Sequence, residues 1–202
     1  MAKIGASASL IKIAVTGGLA SGKSTVCKII KESFCATVVD TDKIAHILLS
    51  EDSAVKEKIV ELFGSAATTD GRLDREKIAS IVFTNNEKLT ALENLLHPLV
   101  FDKIKELYSK QKNSPEFTCF VAEVPLLFES GMEIFFDATI AVHANEAACQ
   151  ERFIKSDFAA RIKNQMAMKE KIKRADYTIE NSENEAALKE NVLKIMNQIS
   201  KT

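Results

Sequence analysis

The chain has 202 residues, 46% of them hydrophobic and 27% charged, with a formal net charge of −1. That length suits one substantial domain with inserted lobes. A near-neutral balance offers no basic face for nucleic acid and no polybasic patch for a membrane. An aromatic share of 6% without Trp leaves few platforms for stacking single-stranded bases.

The cysteines Cys27, Cys35, Cys119 and Cys149 show no CxxC or metal-like spacing. They read as buried free thiols of a reducing compartment. No run reaches the ~18 apolar residues of a membrane span. Residues 1–9 faintly resemble the start of a signal peptide, but cleavage behind them would destroy the strand that follows. They are expected to be a loosely ordered leader, and the protein to be cytoplasmic.

Residues 10–16, LIKIAVT, form an apolar run that ends in Gly-Gly and reads as a buried strand. A helix is expected over 23–33, with Val26, Ile29 and Ile30 on one face, and a second strand over 36–40. Strand, glycine loop, helix and strand make one βαβ unit, which predicts a parallel sheet. Residues 44–49, 55–63, 78–83 and 89–108 carry helical apolar spacing, with a turn-rich stretch at 64–74 and a kink or break expected at Pro98. With no strand expected between Asp40 and Phe117, these helices read as a lobe between two strands. Strands follow at 117–124 and 138–142, a charged helical segment at 144–174, a short strand at 177–179 and an amphipathic helix at 183–199.

Gly17-Gly18-Leu19-Ala20-Ser21-Gly22-Lys23-Ser24, followed by Thr25, satisfies G-x-x-x-x-G-K-[ST]. The glycines let backbone N–H groups turn inward around phosphate oxygens, and the helix behind them aims its positive end at the same anion. Lys23 is expected to reach the β- and γ-phosphates of ATP, and the Ser24 hydroxyl to ligate Mg²⁺. The match lies between a strand and a helix, where the mechanism requires it. A guanine-reading N-K-x-D tetrapeptide is absent, and the helical insert is too large for a typical motor core. A kinase of small molecules or nucleotides remains.

VTGGLASGKST is followed in order by VVDTDKIAH, DGRLDR, LLHPLV, VPLLFESG, RIKNQM and ADYTIEN. Across residues 13–181 the chain thereby resembles the dephospho-coenzyme A kinases. The resemblance implies a three-layer α/β P-loop kinase with a parallel five-stranded sheet. The core would comprise residues 10–42, 117–144 and 175–202, with a helical substrate lobe at 43–116 and a helical lid at 145–174. It implies ATP and dephospho-coenzyme A as substrates with Mg²⁺ as cofactor, and neither nucleic acid, membrane nor an obligatory protein partner. Another P-loop kinase and a non-catalytic nucleotide-binding protein are the rival readings.

By the same resemblance Asp42 is the base that takes the acceptor's proton and Asp40 a supporting or metal-linked acid, with Thr41 where the family usually has Ala. Asp42 also suits a helix N-cap before KIAHILL. Glu123, near a strand end, stands where the family often has Asp; it either holds Mg²⁺ through water or is an edge-exposed acid. Arg152 and Arg161 match arginines that meet ATP and the transferring phosphoryl group, although basic residues are equally expected on a solvated helix face. The 152–161 segment is several residues shorter than usual, with Ser156 at a common arginine position. Asp74, Arg75 and His97 match positions near the substrate, with a helix cap and a packed core histidine as the local alternatives for Asp74 and His97. Asn181 matches a residue near the adenine of ATP, or else forms a turn.

Overall fold

The computed structural model describes residues 10–114, 116–153 and 165–201. The expected leader at 1–9 and the expected phosphoryl-contacting Arg161 lie outside the described residues.

The chain divides into two compact units, one formed by residues 1–40 and 106–202 and the other by 41–105. The first is built on strands β1 (Ile11–Gly17), β2 (Ala36–Asp40), β5 (Cys119–Glu123), β6 (Ala138–His143) and β7 (Tyr177–Glu180). They form a five-stranded sheet in the order β2-β5-β1-β6-β7, and every pairing is parallel. Parallel strands need crossovers that cover both faces, so β5 is buried along its whole length, as is β6 up to its last residue. That burial explains why these strands read as continuous apolar runs.

On one face Ile13, Val15, Val121, Ile140 and Val142 pack against helix α1 (Lys23–Ser33) and helix α8 (Glu185–Ile199). The α8 stripe Leu188, Val192, Met196 and Ile199 recurs at helical spacing, and Asn184 caps the helix by accepting the Ala187 N–H. On the other face Tyr108, near the end of helix α5 (Asn86–Gln111), meets Phe120 edge-to-face at 5.6 Å and donates its hydroxyl to the Leu10 carbonyl at 3.3 Å. These contacts place the last turns of α5 with the sheet, so the all-helical stretch read as a lobe to residue 116 is compact only to Lys105.

The second unit holds helices α2 (Thr41–Glu51), α3 (Ser53–Phe63) and α4 (Arg75–Phe83) with the first part of α5. Val55, Ile59, Phe63, Ile78, Val82 and Leu96 form its core. Two expectations fail here. Strands β3 (Thr68–Thr69) and β4 (Arg72–Leu73) pair antiparallel where no strand was expected. Asp70 and Gly71 both adopt positive φ, 50° and 72°, which makes the two-residue connection a type I′ turn. The break that was one of the two outcomes expected at Pro98 is also absent, because helix α5 continues through it. Pro98 is exposed while Leu96, Val100 and Ile104 keep one stripe buried on both sides, so continued burial outweighs the single lost N–H bond.

Helix α6 (Glu146–Arg152) and helix α7 (Met168–Arg174) flank the residues that are not described. The four thiols are unpaired, and three are buried; Cys35 is exposed, contrary to the expectation of four buried thiols. No helix among the described residues is long and apolar enough to cross a membrane.

Candidate active site

Five parallel strands bring their carboxyl ends to one edge of the sheet, where the loops of such folds collect ligands. β1 ends at Gly17 and α1 starts at Lys23. Gly22, the residue before α1, sits at φ 96° and ψ 22° and provides no side-chain cap, and the first turn carries no acid. The backbone donors at this helix start are therefore not covered by a capping side chain, which is the chemistry of an anion site. Lys23 is only 8% exposed, and its ammonium folds back to donate to the Gly17 and Gly18 carbonyls at 3.3 and 2.8 Å. The Ser21 hydroxyl is buried and has no hydrogen-bond partner among the described residues. A buried cation resting on loop carbonyls and an orphaned hydroxyl fit a loop shaped for phosphate.

Glu123 closes β5 and is 9% exposed. Its Oε1 accepts the Ser24 hydroxyl at 2.9 Å, so the acid faces the loop rather than standing at an exposed edge. The register sets Asp40, the last residue of β2, directly opposite Glu123. Cys27, one turn beyond Ser24, reports both acids. Burial pushes its thiol well above the usual range, and the charges of Glu123 and then Asp40 push the same way, while Lys23 pulls it down. A hydroxyl and carboxylates are hard oxygen donors and fit Mg²⁺. Among the described residues there is no group of three or more His, Cys, Asp or Glu that could hold a metal ion.

Asn181, just past β7, has a different placement from a turn residue. Its side-chain amide donates to the Ser21 carbonyl at 2.9 Å, its backbone N–H donates to the His143 carbonyl at 2.7 Å, and its carbonyl accepts Arg152 Nη2 at 3.1 Å. A Cβ on Gly22 would lie 2.0 Å from the Asn181 amide nitrogen, so glycine is required there by this close approach as well as by its φ. Asn181 thus clamps the loop and links it to the end of α6. Replacing Asn181 by Ala strands a buried carbonyl and is expected to cost about 1–3 kcal/mol in chemical denaturation. Asn181→Asp, which sets a carboxylate against that carbonyl, should cost more. Equal losses would show that amide donation is not what holds the loop.

A cavity of about 410 Å³ opens beside the loop. Leu19 and Ser21 line it together with His143, Glu146, Gln165 and Met168. A mixed polar and apolar wall of this size suits a nucleotide-sized ligand.

The remaining candidates belong to the second unit. α2 begins at Thr41, which puts Asp42 inside the first turn and exposed, so the rival reading of Asp42 as the helix cap does not hold. Asp74 does cap α4, accepting the N–H groups of Glu76 and Lys77 at 3.0 and 3.2 Å. The Thr69 hydroxyl, and then these N–H groups, hold its carboxyl below the usual carboxylate range. Arg75 starts α4 and is exposed, and His97 is half-buried on α5. Sequence reasoning missed Lys171 and Glu129. They form an ion pair at 2.8 Å whose lysine is buried and whose carboxylate is partly exposed, and Lys171 had been one lysine among many in a basic stretch.

The family model for dephospho-CoA kinase matches residues 11–187. A dephospho-CoA kinase of Protochlamydia amoebophila is 42% identical over 180 residues, covering 86% of this chain and 88% of its own. Among solved structures, TT1252 from Thermus thermophilus aligns with a TM-score of 0.80 at 32% identity, over 95% of this chain and 98% of that one. A dephospho-CoA kinase from Campylobacter jejuni aligns with a TM-score of 0.68 at 31% identity, over 94% and 97%. Matched by the family model over most of its length and 42% identical to a dephospho-CoA kinase across 86% of the chain, this chain belongs to the dephospho-CoA kinase family.

Proposed function

We propose that the protein transfers the γ-phosphoryl group of ATP to the ribose 3′-hydroxyl of dephospho-coenzyme A, forming coenzyme A and ADP. The observation that carries this reading is the meeting of Lys23, Ser24 and Glu123 at the phosphate loop of a chain from this family. The loop N–H groups and the Lys23 ammonium bind the β- and γ-phosphates and offset the charge that spreads as the phosphoryl group moves. Ser24, Glu123 and Asp40 would hold Mg²⁺, with at least the acids acting through water; when bound, it neutralises phosphate charge and orients the oxygens. Arg152 is assigned to the nucleotide, a reading supported by its bond to the carbonyl of Asn181, which clamps the loop. The phosphate loop, Arg152 and Asn181 make up the ATP site, and Arg161 is assigned to the transferring group by the family match alone.

Asp42 is the proposed base. Its carboxylate takes the proton of the 3′-hydroxyl while that oxygen forms a bond to the γ-phosphorus and the bond to the ADP oxygen breaks. Asp74, Arg75 and His97 are proposed to line the acceptor side in the helical unit, with Asp74 doing so while capping α4. The enzyme is proposed to act in the cytoplasm without a nucleic-acid or obligatory protein partner.

An ADP-release assay over dephospho-coenzyme A, shikimate and a nucleoside monophosphate tests the reading. Turnover is expected with the first alone, and turnover with another acceptor instead would overturn it. Asp42→Asn is expected to lower kcat by about 10²–10⁴-fold with the thermal transition intact. Near-normal turnover in that variant would remove Asp42 as the base.

A further inference from the structure

Lys171, the fourth residue of α7, is completely buried. Its ammonium lies 2.8 Å from Glu129 Oε1 and donates to the Pro125 carbonyl at 2.5 Å. A buried cation of this kind is retained only with good partners, because desolvation costs more than one weak contact returns. Both of its partners lead to the active site.

Pro125 lies two residues beyond Glu123. Its carbonyl also accepts the Thr16 hydroxyl at 3.3 Å, and Thr16 directly precedes Gly17 of the phosphate loop. Val124 N–H donates to the Val15 carbonyl at 2.9 Å, so the two residues that follow Glu123 are both tied to β1. The second partner, Glu129 Oε1, also accepts the Met166 N–H at 2.8 Å. Met166 and Met168 line the cavity beside the loop, and the Met168 sulfur lies 3.6 Å from where a Cβ on Gly18 would stand. One ammonium thus joins the turn after Glu123 to the cavity wall facing the loop.

We propose that Lys171 is a positioning residue for phosphoryl transfer. Through Pro125 it sets the Glu123 carboxylate against Ser24, and through Glu129 it sets the Met166–Met168 wall against the nucleotide. It touches neither substrate. The proposal rests on the ATP site described above, and it is independent of the acceptor.

The test uses the full chain and three variants, Lys171→Arg, Lys171→Met and the double variant Lys171→Met with Glu129→Met. Each is followed by thermal melting, by affinity for a fluorescent ATP analogue with Mg²⁺, and by kcat and KM for ATP. Lys171→Arg keeps the charge and the donors but adds bulk at a fully buried position, so it is expected to keep analogue affinity and kcat/KM closer to wild type than either Met-containing variant does. Lys171→Met leaves the partly exposed Glu129 and the Pro125 carbonyl without their cation and should melt lower. The double variant is expected to recover part of that stability, since an apolar pair can replace an ion pair whose cation is buried. It should nevertheless keep an analogue affinity and a kcat/KM at least 10-fold below wild type, because the Pro125 carbonyl has lost its cation, keeping only the Thr16 hydroxyl, and the Met166 N–H has lost its acceptor. A folded double variant with wild-type affinity and kinetics would overturn the proposal and leave Lys171 a stability element only. If Lys171→Met does not fold, the double variant and Lys171→Arg still decide. Analogue affinity is read without an acceptor, so failure to phosphorylate dephospho-coenzyme A would count against the proposed function and not against Lys171.

Discussion

Lys23→Met is expected to lower kcat/KM for ATP by about 10²–10⁴-fold while shifting the melting temperature by no more than a few degrees. The separation follows from where the side chain is held. Its ammonium spans the Gly17 and Gly18 carbonyls, and the Gly18 carbonyl keeps a second donor in the Ser21 N–H at 3.3 Å. With that donor retained, losing the cation costs the fold little, and Met fills most of the buried stem's volume. The bound nucleotide is another matter. Charge that spreads over the phosphoryl oxygens in the transition state has no replacement for a fixed cation in a largely buried loop, and a preorganised donor of this kind is worth several kcal/mol there. Lys23→Arg separates charge from shape: its longer planar head does not fit between two loop carbonyls, so it is expected to rescue ATP affinity more than kcat. If Lys23→Met keeps kcat within about 3-fold of wild type, charge neutralisation by Lys23 is not part of the mechanism.

The parts of the molecule that were legible beforehand are those whose signal is local. Helix α1 over Lys23–Ser33 and strand β2 over Ala36–Asp40 fall where the sequence placed them. There, a glycine loop, an amphipathic period and a short β-rich run agree with one another. The β3–β4 hairpin escaped because each strand has two residues, too few for any alternation to show; Asp70-Gly71 was its only mark. Pro98 misled because a helix break is a local penalty, whereas the apolar stripe that opposes it runs over several turns. The loop residues at the site were readable from their spacing. Their supports were not, since Asn181 clamps Ser21 across 160 positions and Lys171 reaches Pro125 across 46. Charge could not single out Lys171 either. A lysine in a basic helix reads as solvated until the fold places a carboxylate and a carbonyl around it.

Gly17→Ala is expected to be the most damaging single methyl in the chain. Gly17 ends β1 opposite Val142 with φ at 148°, and an added Cβ would lie 2.0 Å from the Val142 carbonyl oxygen and 3.0 Å from the Ser21 hydroxyl. The obstructing atom is backbone in a buried parallel strand, so no side-chain rotation relieves the overlap. Overpacking and left-handed strain together are expected to cost about 2–5 kcal/mol in chemical denaturation. A comparison glycine isolates the overlap from the strain: Gly131 also has positive φ, at 68°, but a Cβ there meets nothing within 4 Å. Gly131→Ala should therefore carry the strain alone, about 1–2 kcal/mol, with ATP binding unchanged. Gly17→Ala must move either the end of β1 or β6, and the first carries the phosphate loop while the second leads into His143 at the cavity wall. Loss of affinity for an ATP analogue is thus expected even at temperatures where the variant is folded. Equal stability losses in the two variants, with ATP affinity retained in both, would mean that close packing of β1 on β6 does not fix the loop.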